Sequence, residues 1–247
     1  MIQQTWLQMG MPITVHIGDD GAGPEDVAAV AAWLDEVDRR FSPFRATSEL
    51  SRFNAGLIGR RELSGELTAI WRLCEQTKAE TNGSFDPVRA GRFDPSGLVK
   101  GWAIARASAL LAARGFANYF VDAGGDIQAV GRNGAGQPWR VGIRNPFQRN
   151  EVVKVLAISD RGVATSGTAA RGRHIYNPRR PGPLVTDLVS LTVIAPTIYE
   201  ADRMATAAFA MGRDGLAFIA ARTDLEAYAI AADSVATYTQ GFPRYVR

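Results

Sequence analysis

Residues 96–130 read SGLVKGWAIARASALLAARGFANYFVDAGGDIQAV, a helical pattern followed directly by two strand-like runs. The helical pattern covers about residues 98–114 and ends at a glycine, which is a common stop signal. The two runs, residues 119–122 and 127–130, are hinged on Gly124-Gly125, which predicts a tight turn between strands. This order does not follow a regular βαβ alternation, so the stretch favours an α+β fold.

The patterns on either side of this stretch have the same mixed character. Apolar residues at helical spacing predict helices over residues 27–41, 67–82 and 197–212, and strand patterns cover residues 13–17, 139–143, 152–158, 189–194, 227–231 and 235–238. We expect a single α+β domain over residues 1–247, with a mixed, largely antiparallel sheet and packed helices. Two interlocked lobes are a variant of the same expectation.

The composition is typical of a globular protein with a sizeable core, with 46% hydrophobic and 21% charged residues. The formal net charge is +3 and the basic residues do not cluster, which argues against nucleic-acid binding. No apolar run reaches the ~18 residues that span a bilayer, and no signal peptide or lipobox cysteine is visible. We expect a cytoplasmic protein, or an exported one if a leader has been removed. The single cysteine, Cys74, lies on an apolar helical stripe and suits a buried core thiol.

A carboxylate and a hydroxyl are spaced for one face of a predicted helix. Asp202 and Thr206 are four residues apart, and Thr197 with Glu200 fits a capping box just before them. Such a pair can bind a hard cation such as Mg²⁺, which prefers oxygen ligands. The alternative is that Asp202 only complements the helix dipole while Thr206 packs in the core.

Three glycine-containing segments suggest other kinds of site. Residues 94–101 place glycines and Lys100 near a helix start, where backbone amides suit phosphate, although the P-loop spacing is absent. Residues 123–126 lack the order of a dinucleotide-binding fingerprint, and a turn between strands explains them. Ala164 stands where a nucleophile elbow would need its first glycine, so Ser166 is set aside as a hydrolase nucleophile.

Only two histidines are present, which excludes a multi-histidine metal site. His16 alternates with apolar residues and is expected to face solvent from a strand. His174 lies in a turn-rich stretch and is a candidate for acid–base chemistry, although a lone histidine is more often structural or exposed.

The order of these short signals is more informative than each signal alone. The sequence resembles the ApbE-like family of FAD:protein FMN transferases at six places, in the family's order. The blocks are Met9-Gly10; residues 42–44 with 48–54; residues 83–87; residues 94–101 with 124–126; residues 164–167 with 174–178; and residues 201–202 with 205–206.

The resemblance implies Mg²⁺-dependent transfer of FMN from FAD to a Ser or Thr hydroxyl of an acceptor protein, with release of AMP. It implies an FAD site lined by Met9, Phe44, Ser84, Phe85, Asp86, Asp94, Lys100 and Ile175. It also implies that Mg²⁺ is bound by the Gly97 carbonyl, the Asp202 carboxylate and the Thr206 hydroxyl, and that His174 is the base. Phosphoryl transfer needs mainly positioning and charge neutralisation, which a cation and a lysine supply.

Several positions depart from the family pattern. Phe44 replaces a usual Tyr, Asn177 replaces a usual Asp, Ala105 replaces an acidic residue and Met11 replaces a common Thr. None of these changes removes an implied metal ligand. Hydrolysis of FAD to FMN and AMP, or flavin binding without catalysis, therefore stay as alternatives, and an unrelated interaction domain would require all six blocks to be coincidental.

Overall fold

The computed structural model describes residues 1–148, 150–168, 175–179 and 188–247. This part of the chain contains six α-helices: α1 (Pro24–Phe41), α2 (Glu49–Asn54), α3 (Gly65–Glu80), α4 (Ser96–Ala113), α5 (Ile198–Met211) and α6 (Asp214–Ala220). Short 3₁₀ helices cover Arg60–Glu62 and Phe242–Tyr245. None of the helices in the described ranges is both long enough and apolar enough to cross a membrane.

The strands of the described residues form one large sheet and two small hairpins. They are β1 (Ile2–Gln8), β2 (Met11–Ile17), β3 (Val88–Arg89), β4 (Arg92–Phe93), β5 (Tyr119–Ala123), β6 (Asp126–Val130), β7 (Trp139–Arg144), β8 (Val152–Ile158), β9 (Arg161–Gly167), β10 (Leu188–Ala195), β11 (Glu226–Ala231) and β12 (Ala236–Tyr238). The large sheet has eight strands in the order β1-β2-β5-β6-β9-β10-β11-β12, while β3-β4 and β7-β8 pair separately. Every pair among them is antiparallel, so the α+β class with a largely antiparallel sheet is confirmed.

The two faces of the large sheet are covered by different layers. Along β10, Leu191 and Val193 pack into the core shared with the helices. Ile194 points to the opposite face and packs in a second cluster with Trp139 of β7. Because both faces of β10 are buried, its sequence is a nearly continuous apolar run. Two clusters on opposite sides of one sheet suit a single domain over residues 1–247, which stays a prediction.

The predicted helices are confirmed to within three residues, and β8 matches its prediction at both ends. The sequence does not predict β1, because this edge strand carries mostly polar residues and lacks alternation. Helix α2 is also missed, since six residues are too few to show a helical period. Helix α4 begins at Ser96, two residues before the predicted start, so Lys100 lies in its first turns as expected.

The expectation that His16 faces solvent is wrong. Its ring packs against Phe120 and Trp139, because β7 and β8 cover this face of the sheet. His16 Nδ1 lies 3.1 Å from Gln3 Oε1, whereas Nε2 is buried and has no hydrogen-bond partner among the described residues. Burial lowers the pKa of His16 below its usual value of 6.5, and the positive N-terminus acts in the same direction.

Helices α4 and α5 cross in close contact, and this crossing positions the functional residues. A Cβ atom added to Gly101 would lie 2.6 Å from Asp202 Cβ and 2.7 Å from the Ile198 carbonyl oxygen. Any side chain at this point would therefore push the helices apart. Because the obstacle includes backbone, a rotamer change cannot relieve it.

We predict that Gly101→Ala destabilises the protein by about 1–3 kcal/mol, the usual cost of overpacking. This steric effect must outweigh a gain of up to about 1 kcal/mol from the better helix propensity of alanine. Gly65→Ala is the matched control, because a Cβ atom added at Gly65 in α3 would have no atom within 4 Å. Urea-induced unfolding should show a loss of free energy of unfolding for the first variant only, and equal effects would contradict the contact.

We also predict that His16 makes the stability depend on pH. A pKa below the unfolded value means that the unfolded chain binds the proton more readily, so stability is complete above about pH 6.5 and decreases as the pH falls from there towards the folded pKa. His16→Phe keeps an aromatic ring between Phe120 and Trp139 but cannot titrate. Thermal unfolding between pH 7.5 and pH 5 should therefore decline less steeply for this variant, and parallel curves would refute the prediction.

Candidate functional site at the α4–α5 crossing

Asp202 receives a hydrogen bond from the backbone of the opposing helix. The residue is 4% exposed, and its Oδ2 accepts from the Gly101 amide at 2.7 Å. In an α-helix this amide normally donates to the carbonyl four residues earlier, which is that of Gly97. Because the Gly101 amide donates to Asp202, the Gly97 carbonyl oxygen can accept a further ligand.

Thr206 lies one helical turn beyond Asp202 and faces Gly97. A Cβ atom added to Gly97 would lie 2.9 Å from Thr206 Cγ2 and 3.6 Å from Thr206 Oγ1. The structure thus brings together the three residues that the family resemblance implies as metal ligands. A carbonyl, a carboxylate and a hydroxyl are hard oxygen donors and fit Mg²⁺, which commonly takes one or two carboxylates and keeps waters or phosphates as its other ligands. Within the described ranges no group of three or more His, Cys, Asp or Glu residues could hold a metal.

Lys100 links this crossing to the end of the sheet. Its ammonium forms an ion pair with Asp126 Oδ2 and lies 3.9 Å from Asp202 Oδ1. Asp126 is 2% exposed, and its Oδ1 accepts the Thr165 amide at 3.0 Å. A lysine in this arrangement is one positive charge beside two buried carboxylates.

A third carboxylate lies close to this group. Burial raises the pKa of Asp122 above its usual value, and the negative charge of Asp126 adds to the effect. A hydrogen bond of 2.7 Å from the Gly125 amide to Asp122 opposes the increase. The positive charges of Arg144 and Lys100 also oppose the increase, so Asp122 belongs to the same group of interacting charges.

Two tight turns lie next to each other at this end of the sheet. Met9 and Gly10 join β1 to β2, both with positive φ, and Met9 is a non-glycine residue in this uncommon region. Gly124 and its neighbour Gly125 join β5 to β6, and the Gly124 amide donates to the Pro12 carbonyl at 2.9 Å. Met9, which the resemblance implies in the FAD site, therefore lies at the same end of the sheet as Asp126.

The block at residues 83–87 contacts the crossing from the side of α4. A Cβ atom on Gly97 would lie 3.1 Å from the ring of Phe85, which is buried. The Asp86 carbonyl accepts a hydrogen bond of 2.8 Å from the Tyr176 hydroxyl, and the Asp86 carboxylate pairs with Lys78 at 2.7 Å. Asp86 therefore already has a cationic partner within the chain.

Asp94 and Ser84 differ in exposure although both belong to the implied FAD site. Ser84 is buried, whereas Asp94 is exposed at the start of α4. The Asp94 amide donates to the Pro87 carbonyl at 2.6 Å, and its carboxylate accepts from the Ser96 amide and hydroxyl. These hydrogen bonds hold the beginning of α4 against Pro87, the last residue of the block at residues 83–87.

The segment before α4 is held by a side chain of α2. The Asn54 amide group donates to the Phe93 carbonyl and accepts from the Phe93 amide, each at 2.8 Å. Phe93 also stacks on Trp71 with ring centroids 4.1 Å apart. Phe44, which belongs to the same sequence block as Asn54, is 94% exposed and leaves both faces of its ring accessible.

The predicted base, His174, lies outside the described residues. Its neighbour Ile175 is described and packs, partly buried, against the main core. The sequence does not single out two interacting residues of the site: Asp126, which pairs with Lys100, and Tyr176, which donates to the Asp86 carbonyl. Both stand inside blocks of the resemblance, but only the tertiary structure shows their partners.

The family model described as the ApbE family matches residues 9–92 and 87–229 of the chain. The FAD:protein FMN transferase of Salmonella typhimurium is 34% identical over 146 residues, which cover 56% of this chain and 42% of that relative. The chain thus spans less than half the length of this relative. The FAD:protein FMN transferase of Vibrio cholerae is 30% identical over 239 residues, with 73% of this chain and 72% of the relative covered.

A solved structure supports the same fold. The flavin transferase ApbE from Vibrio cholerae matches with a TM-score of 0.84 over 99% of this chain and 98% of that chain. The sequence identity in that comparison is 22%, so it is evidence for the fold alone.

Proposed function

Because this chain belongs to the ApbE family, we propose that it is an FAD:protein FMN transferase, which moves FMN from FAD to a Ser or Thr hydroxyl of an acceptor protein and releases AMP. The reaction needs a cation beside a pyrophosphate, a basic residue and a flavin pocket. In this proposal the cation is Mg²⁺ and the site is the α4–α5 crossing.

The observation that carries the proposal is the convergence of Gly97, Asp202 and Thr206 beside Lys100. The donors come from two helices about a hundred residues apart in sequence, yet Asp202 bonds directly to the backbone of α4. Mg²⁺ bound by these oxygens would neutralise charge on the pyrophosphate of FAD. The ammonium of Lys100 adds a further positive charge near the same place.

In the proposed reaction the acceptor hydroxyl oxygen forms a bond to the phosphorus of the FMN half of FAD. The bond between that phosphorus and the bridging oxygen breaks, and AMP leaves with the bridging oxygen. We propose that His174 takes the hydroxyl proton, because an imidazole is a suitable general base near neutral pH. The other residues position the substrate, which is the main requirement of phosphoryl transfer.

We further propose that the flavin and adenylate groups lie between the start of α4 and the end of the sheet that carries the β1–β2 and β5–β6 turns. The proposed lining residues are Met9, Phe44, Ser84, Phe85, Asp86, Asp94, Lys100 and Ile175. The exposed ring of Phe44 is available to stack on an isoalloxazine, a contact that aromatic faces favour. Phe85 is buried and packs against Gly97, so it would line the inner wall of the pocket.

The central test is to incubate the protein with FAD and Mg²⁺, with and without a cell extract that supplies acceptor proteins. We expect AMP to form together with flavin fluorescence that stays on a protein band after denaturation. EDTA should abolish both signals because the proposed reaction needs the cation. AMP without labelled protein would instead indicate an FAD pyrophosphatase, and no AMP at all would indicate a binding protein.

We predict that His174→Ala lowers transfer by roughly 10²–10⁴-fold, the usual contribution of a general base, while FAD affinity changes little. His16→Gln is the control histidine variant, because His16 lies against Phe120 and Trp139 on the face of the sheet opposite the helices. Single-turnover rates and FAD titrations separate the two effects. Loss of FAD binding with unchanged turnover per bound FAD would make His174 a wall of the pocket instead.

A further inference from the structure

Lys100 has two carboxylates within reach, and it does not approach them equally. Its ammonium is in direct ion-pair contact with Asp126, whereas Asp202 Oδ1 is 3.9 Å away. We propose that Asp126 is a positioning residue that holds Lys100 away from Asp202 and so keeps Asp202 available to Mg²⁺. This inference rests on the metal site of the proposed function.

Asp126 is well fixed for such a role. It is the first residue of β6, it is buried, and its second carboxylate oxygen accepts the amide of Thr165 in the neighbouring β9. An ion pair in a poorly hydrated place is strong when its geometry is held by further hydrogen bonds. The lysine side chain is flexible and its ammonium is a point charge. We therefore expect the ammonium to pair with the carboxylate whose position is best fixed, which is that of Asp126.

Asp202 is the partner that Lys100 would take if Asp126 lost its charge. The Gly101 amide already occupies Asp202 Oδ2, and Oδ1 is the oxygen nearer to Lys100. A movement of roughly 1 Å would bring the ammonium to hydrogen-bond distance of Oδ1. A cation would then have to displace Lys100 from its own ligand, and its apparent affinity would fall.

The competing explanation is that Asp126 acts only as a distant negative charge. In that case its effect on Mg²⁺ would not depend on Lys100, and another nearby carboxylate would serve equally well. Asp122 provides this comparison, since it is close enough for its pKa to respond to both Asp126 and Lys100. Asp122→Asn keeps an oxygen that can accept the Gly125 amide while it removes the charge.

The test is a double-mutant cycle on Asp126→Asn and Lys100→Met, with Mg²⁺ alone as the probe and FAD absent. Mg²⁺ affinity is obtained from the rise in unfolding temperature during a Mg²⁺ titration. We expect Asp126→Asn to weaken Mg²⁺ binding about tenfold when Lys100 is present, and less than about twofold in the Lys100→Met background. Asp126→Glu should restore most of the affinity, because it again offers Lys100 a carboxylate.

Each alternative result overturns the inference. Equal losses in the two backgrounds, or the same tenfold loss in Asp122→Asn, would show that only total charge matters. If Asp126→Asn does not fold, Asp126→Ser enters the cycle in its place, with the same expectations. If the unmodified protein does not bind Mg²⁺, or if Asp202→Ala binds it as well as the unmodified protein does, the metal site itself is wrong. If Asp202→Ala loses binding but Asp126→Asn does not, only the role of Asp126 is wrong.

Discussion

The contact between Gly101 and Asp202 is the constraint on which the site depends. The absence of a side chain at Gly101 lets α5 approach α4 until a buried carboxylate can accept a backbone amide of the opposing helix. That approach also places Thr206 against Gly97. A buried carboxylate is costly unless it is hydrogen bonded, so the same bond that joins the helices also makes Asp202 tolerable in the interior.

The electrostatics of the site depend on the lysine that lies between its buried carboxylates. Asp126 and Asp202 are almost fully buried, and among the described residues Lys100 lies within 4 Å of both carboxylates. Desolvation makes each buried charge unfavourable in isolation, and one lysine cannot compensate two carboxylates. In the proposed function, Mg²⁺ would supply positive charge beside these carboxylates and so become part of the electrostatic balance.

The sequence could predict most of the fold because the helices show their period clearly, as in α1 and α5, and the α+β class follows from the order of elements. It could also place Asp202 and Thr206 on one helical face, since residues four apart are neighbours there. It could not show that Gly97 and Gly101 face them, because this depends on how two distant helices pack. The sequence cannot single out Asp126 for the same reason: its partner Lys100 lies 26 residues away along the chain but contacts it at the end of the sheet.

The Gly101–Asp202 hydrogen bond joins residues 101 positions apart in the chain. During synthesis, α4 therefore leaves the ribosome long before the carboxylate that completes its site exists, and α4 meanwhile exposes an apolar flank without its partner helix. Since domains generally fold as units, a nascent chain that ends before α5 lacks Asp202 and Thr206, two of the three proposed metal ligands. The proposed Mg²⁺ would therefore bind only late in folding, after α5 has packed against α4.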